Sequence, residues 1–214
     1  MTSSEKHELI DIKADSVRLE GMLEIPRSPR GIVLFAHGSG SSRHSKRNQY
    51  VAEILRVSGI GTLLFDLLTY EEAEDRTNVF DIDLLAQRLL HATDWIMENN
   101  KTKNLKIGYF GASTGAAAAL KASIVTPNKI RAVVSRGGRP DMVIPVLKKV
   151  KSPTLLIVGG NDFEVITLNQ AAYDELQCEK ELKIIPGATH LFEEPGKMEE
   201  VAELAKQWFT THFK

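Results

Sequence analysis

The chain has 214 residues, enough for one domain whose core hides roughly 70–75% of the unfolded surface without a disulfide or metal staple. Its 43% hydrophobic and 26% charged residues exclude a disordered or fibrous chain. Lys+Arg 27 against Asp+Glu 28 leaves a net charge of −1, which removes any global electrostatic case for nucleic acid or an anionic membrane as partner. The lone Cys178 can form neither an internal disulfide nor a multi-cysteine zinc site. Residues 1–9 are polar, and no apolar run reaches membrane-spanning length. The expectation is a cytoplasmic protein with a single domain over residues 1–214.

Residues 10–13 and 17–25 read as two strands joined at Ala14-Asp15-Ser16 with no helix between, an antiparallel hairpin stopped by Pro26 and Pro29. Six nearly continuous apolar runs follow, at 32–36, 62–65, 105–110, 130–135, 154–158 and 182–185. Unbroken rather than alternating, they predict strands covered on both faces. Helical patterns lie between them. Ile82, Leu85, Leu89, Ala92 and Ile96 share one helix face behind a capping Asp81, and Met198, Val201, Ala205 and Trp208 form the last such stripe. Strands alternating with helices predict an α/β architecture, a mostly parallel central sheet with helices on both faces. The acidic stretch 66–78 is the longest segment without a pattern, and it follows a strand's C-terminal end, where open α/β sheets place their ligands.

Three features fall at such strand ends. Gly111-Ala112-Ser113-Thr114-Gly115 is a G-x-S-x-G between a strand and an Ala-rich helix, a context that puts the serine on a strained turn with its hydroxyl exposed. Close packing of helix on sheet would explain the small residues equally. Asp162 ends Gly159-Gly160-Asn161-Asp162, where it can orient an imidazole or merely cap the next helix. His190 follows the turn at Pro186-Gly187 and is either a general base or a surface histidine. Taken together, Ser113, Asp162 and His190 stand in the chain order of a hydrolase triad, each after a separate strand. His37-Gly38-Ser39-Gly40 follows the first parallel strand, so the backbone N–H groups of Thr114 and Ser39, with Gly40 as the fallback for Ser39, are candidates for an oxyanion hole.

On these motifs the sequence resembles the α/β-hydrolase superfamily, and within it the dienelactone-hydrolase-like family of small, lidless members. The resemblance runs from the N-terminal hairpin to the last helix. It implies an α/β-hydrolase fold without a lid domain, Ser113 as nucleophile, Asp162 as triad acid and His190 as base. Dienelactone hydrolases proper carry a cysteine where Ser113 stands, so the fold and triad carry over and dienelactone as substrate does not. The implied activity is a serine hydrolase cleaving small soluble carboxylic esters through an acyl-enzyme, with a small-molecule substrate and no cofactor or metal.

Substrate contacts are more open. Arg136 or Arg139 could hold a carboxylate or phosphate, or pair with Asp141 or the acidic loop 71–75. Leu67, Leu68, Phe163, Leu191 and Phe192 flank the site and could line an acyl pocket or belong to the core. The basic run Arg43-His44-Ser45-Lys46-Arg47 reads as a solvated mouth loop, with phosphate binding the alternative. With no long insertion to cover it, the pocket is expected to be shallow or open. Two other classes remain: a non-catalytic binding protein of the same fold, and a nucleotide-binding module. The latter fails at Arg43, where a third glycine would stand. Nothing in the pattern sets an oligomeric state.

Overall fold

The computed structural model describes residues 7–214. Every apolar run becomes a strand of one eight-stranded sheet: β1 (Glu8–Ala14), β2 (Val17–Glu24), β3 (Gly31–Ala36), β4 (Gly61–Phe65), β5 (Lys106–Ala112), β6 (Ile130–Arg136), β7 (Thr154–Gly159) and β8 (Lys180–Ile185). The order across the sheet is β1-β2-β4-β3-β5-β6-β7-β8. β1 and β2 form the antiparallel hairpin at one edge, and β2 also joins β4 antiparallel. All pairings from β4 to β8 are parallel. The parallel strands therefore send their C-terminal ends, and the loops that follow, to one edge.

Helices α1 (Lys46–Val57), α2 (Tyr70–Glu74), α3 (Arg76–Phe80), α4 (Ile82–Glu98), α5 (Thr114–Val125), α6 (Phe163–Glu175) and α7 (Lys197–His212) complete the chain, with a kinked 3-10 segment at Pro140–Lys149. α4 begins where Asp81 Oδ1 accepts the N–H groups of Asp83 and Leu84, each at 3.0 Å, and its apolar stripe is buried along its length. α5 is buried all round by small residues, which brings its axis close to the sheet. The core is two layers. One face of the sheet carries Leu34, Leu63 and Tyr109 under α4 and α5. The other carries Phe35, Phe110 and Val134 under α1 and α7. Each buried Leu or Phe contributes about 1.5–3 kcal/mol relative to exposure, so the sheet is held from both sides. Among the described residues, no helix is long and apolar enough to cross a membrane.

The acidic stretch that showed no pattern is the two short helices α2 and α3. Their ends are set by side chains rather than by apolar periodicity. Thr69 and Glu72 form a capping box, and Asp75 caps α3.

Candidate active site

Ser113 joins β5 to α5 at φ 51°, ψ −122°, a conformation that costs a non-glycine residue about 1–3 kcal/mol and persists only where the surroundings hold it. They do hold it. The Ser113 N–H donates to the Arg136 carbonyl at 3.3 Å, and the Ser113 carbonyl accepts from Ala116 and Arg139, both at 3.1 Å. The flanking glycines are required by contact. A Cβ on Gly115 would stand 2.1 Å from the Ala36 carbonyl oxygen, and one on Gly111 would stand 2.4 Å from the Ala116 Cα.

Asp162 occupies the N-cap position of α6, yet its side chain makes no capping bond. It turns to His190 instead, whose Nδ1–H donates to Asp162 Oδ2 at 2.6 Å. That bond fixes the tautomer and leaves Nε2 as an acceptor. The His190 loop is itself pinned, because the Thr189 N–H donates to both carboxylate oxygens of Glu194 at 3.1 Å. Those bonds hold the Glu194 carboxyl below its usual value. Ser113 and His190 both border the C-terminal end of β6. Arg136 accepts the Ser113 N–H, and the next residue, Gly137, has its Cβ direction 3.5 Å from His190 Cε1. The Ser113 hydroxyl and Nε2 do not meet as a hydrogen bond in this conformation. Catalytic hydrogen bonds of unliganded sites often tighten only with substrate present.

Thr114 is the first residue of α5, so its N–H has no acceptor within the helix. Ser39 lies alongside, and its N–H donates to Thr114 Oγ1 at 3.0 Å. The two candidate donors thus sit together, with the Ser39 N–H taken up by the threonine hydroxyl. His37 holds this loop in place. Its Nδ1–H donates to the Gly38 carbonyl, and its Nε2 accepts the Leu67 N–H, both at 3.0 Å. Burial lowers the His37 pKa, against the opposing Gly38 bond and Asp66 charge, which favours the neutral ring that this pattern needs. Sequence reasoning placed His37 in a motif but missed this buckle, since a partner 30 residues away leaves no local signal.

Ser39 and Thr114 open on a cavity of about 860 Å³, walled by α2 and α3 and floored by Leu19, Leu67, Leu68 and Leu85. Among the described residues it is the two short capped helices that do the walling. Leu67 and Leu68 line the cavity, whereas Phe163 and Leu191 do not. Phe163 is 74% exposed at the start of α6, and Leu191 is also exposed. They follow β7 and β8, four and five strands from β4, whereas the cavity opens beside β2, β3 and β4. Phe192 is buried in the α1/α7 layer of the core. Gly40 lines the cavity with Ser39.

The arginines separate. Arg139 pairs bidentately with Asp141, both contacts at 2.8 Å, which raises its pKa and accounts for it structurally. Among the described residues Arg136 pairs with no carboxylate. It is buried, and Nη2 donates to Asn48 Oδ1 at 3.3 Å. In the basic run, Arg43 is tied to Asp66 and Glu20, while Arg47 reaches Glu193 at 3.1 Å.

Residues 20–214 match the model of the dienelactone hydrolase family. A crystal structure of dienelactone hydrolase from Anabaena variabilis is 55% identical, covers 97% of this chain and 98% of its own, and superposes with a TM-score of 0.94. Two Mycobacterium tuberculosis proteins with the provisional name phosphoribosyl transferase are 56% identical over 207 residues, 97% of this chain and 47% of theirs. The chain thus spans about half the length of the curated relatives it matches. Est1E from Butyrivibrio proteoclasticus shares the fold, with a TM-score of 0.80 at 16% identity over 95% of this chain and 98% of its own.

Proposed function

This chain belongs to the dienelactone hydrolase family, and on that premise we propose that it is a hydrolase that cleaves small carboxylic esters through an acyl-enzyme on Ser113. The observation that carries the reading is the 2.6 Å Asp162–His190 bond at the sheet edge where Ser113 sits on its strained turn. His190 Nε2 takes the Ser113 proton as Oγ attacks the ester carbonyl. Asp162 keeps the ring in the right tautomer and stabilises the imidazolium. The tetrahedral oxyanion is received by the Thr114 N–H, at the positive end of α5, and by the Ser39 N–H, past or through the Thr114 hydroxyl. His190 then protonates the leaving alcohol, and water repeats the sequence to free the acid. The cavity beside Ser39 and Thr114 supplies an apolar wall for one half of the ester, with Leu67 and Leu68 in contact.

The provisional name of the two mycobacterial relatives describes chains about twice as long, and acyl hydrolysis is the chemistry that Ser113, His190 and Asp162 favour in this one. Intact-mass analysis after treatment with a small fluorophosphonate tests the reading without knowledge of the substrate. One adduct on the wild type, absent from Ser113→Ala, is the expected result. A folded wild type that takes no adduct and hydrolyses no member of a 4-nitrophenyl ester panel would refute it.

A further inference from the structure

Behind the His190 loop the structure collects hydrogen-bond donors and positive charge with almost nothing to receive them. Arg136, at the end of β6, is only 6% exposed, and its Nε has no acceptor among the described residues. Among the described residues its side chain has one polar partner, the Asn48 side-chain oxygen, which leaves the Asn48 amide nitrogen as a further donor. Beside it lies Arg47, whose Nε is also buried without an acceptor and whose Nη1 meets the exposed Glu193. A buried guanidinium is ordinarily retained with a carboxylate, because an unpaired one bears the full desolvation penalty. That penalty is visible here. Burial, and then the neighbouring Arg47 charge, pull Arg136 down to about 10.

A second observation is independent of the first. Lys46 and Arg47 are the opening residues of α1, and the first turn of α1 contains no acidic residue. Positive side chains at a helix N-terminus oppose the helix dipole. α1 thus starts with the wrong sign of charge, at the end where N–H groups of the backbone favour an anion. Ser45 Oγ caps this turn by accepting the Asn48 N–H at 3.3 Å, so the turn lacks an anion rather than a cap, while Arg136 Nε and Arg47 Nε lack any acceptor among the described residues. Two guanidiniums set against one exposed carboxylate call for more than a single negative charge, and a tetrahedral dianion can accept from both forks and from the amide.

The location ties this cluster to the chemistry. The Arg136 carbonyl accepts the Ser113 N–H, Gly137 packs on His190, and Arg47 holds Glu193, three residues after His190. We propose that Arg47, Asn48 and Arg136 bind a phosphate group carried by the substrate, so that the ester cleaved at Ser113 belongs to a phosphorylated molecule. The proposal rests on the esterase reading for the reaction itself. The phosphate is a handle: the acyl C–O bond breaks, water adds across it, and no P–O bond is made or broken.

The test has two arms. In the first, inorganic phosphate and acetate are titrated against thermal unfolding of wild type, Ser113→Ala, Arg136→Met, Arg47→Gln and the remote surface control Lys103→Gln. Phosphate should raise the Tm of wild type, Ser113→Ala and Lys103→Gln alike and acetate much less, as expected for a ligand of the folded state. Arg136→Met should melt no lower than wild type without phosphate, since it removes an unpaired buried charge, and both arginine variants should need at least tenfold more phosphate for the same shift. The second arm compares the 4-nitrophenyl esters of phosphoglycolate and methoxyacetate. The wild type should favour the phosphorylated ester at least tenfold in kcat/KM, and that ratio should collapse in both arginine variants. A wild-type Tm indifferent to phosphate, acetate acting as well as phosphate, a low-melting Arg136→Met, or a ratio that survives in both variants would overturn the proposal. Turnover of neither ester would sink the esterase reading and the placement of the phosphate on a substrate. The Ser113→Ala titration would still report whether the cluster binds the anion.

Discussion

In the proposed oxyanion site Thr114 would contribute two groups that do different work. Its N–H is presented by the start of α5, while its hydroxyl takes the Ser39 N–H at 3.0 Å. A hydroxyl that accepts one hydrogen bond is free to donate its own proton onward, polarised by the bond it receives. Thr114→Val, nearly isosteric, should therefore lower kcat by about 10²-fold, the cost of one oxyanion donor, while Thr114→Ser stays within about threefold. Steady-state kinetics on one activated ester decides it, and full kcat in Thr114→Val would mean that Ser39 reaches the oxyanion directly. His37 gives the same loop a pH dependence. The unfolded histidine titrates near 6.5 and the folded one below it, so in that interval the unfolded chain binds a proton that the native chain does not. The contribution of His37 is fully present above about pH 6.5 and is lost as pH falls from there towards the lowered folded value. Melting temperature should drop between pH 7 and pH 5, and less steeply in His37→Gln, which still offers Leu67 an acceptor but does not titrate. Of these features the sequence suggested only the backbone donors. Ser113, Asp162 and His190 announce themselves by following separate strands, whereas the His37–Leu67 and Ser39–Thr114 contacts join segments 30 and 75 residues apart.

The cavity wall was illegible for a different reason. α2 and α3 have no buried residue and hence no apolar period, so nothing in the pattern of 66–78 distinguishes them from loop. What holds them is Glu72. Its backbone N–H and one carboxylate oxygen close the capping box with Thr69, its carbonyl accepts from Asn78 at 3.0 Å, and its other carboxylate oxygen receives Arg88 Nη2 at 2.6 Å. Arg88 is buried on α4 and also donates to the Ala14 carbonyl, so the pair staples the wall to the main body. Glu72→Ala removes the cap and leaves a buried guanidinium without its partner. Removing one half of a fully buried pair costs about 3–5 kcal/mol, and the partial exposure of Glu72 lowers the expectation to about 2–3 kcal/mol. Chemical denaturation measures that loss. In the same variant KM for an ester that fills the cavity should rise several-fold, while fluorophosphonate labelling of Ser113 persists, because the wall borders the pocket and not the nucleophile. A sequence reader had the capping box within reach in Thr69-x-x-Glu72. The arginine it engages lies 16 residues on.

Across the whole molecule the sheet is the shared element, and this is why the fold was the most legible part. Continuous apolar strands need cover on both faces, which the intervening helices supply, and two strands joined without a crossover pair antiparallel, here at an edge. The consequence is mechanical as well as topological. Each central strand sends alternate side chains into opposite layers, Leu34 and Tyr109 into one, Phe35 and Phe110 into the other. Neither layer can melt and leave the sheet intact, since the strands would then expose a full apolar face. The two tryptophans sit one in each layer, Trp95 on α4 and Trp208 on α7, and report on them separately. In urea, Trp95→Phe and Trp208→Phe should each show a single fluorescence transition that coincides with the loss of helical circular dichroism in the same variant. In each variant the remaining tryptophan watches one layer while circular dichroism watches both. Coincidence would make the two layers one cooperative unit, with Ser113, Asp162 and His190 depending on the integrity of both. A Trp208 signal lost before the circular dichroism would place α7, and the His190 loop that leads into it, in a less stable unit than the sheet.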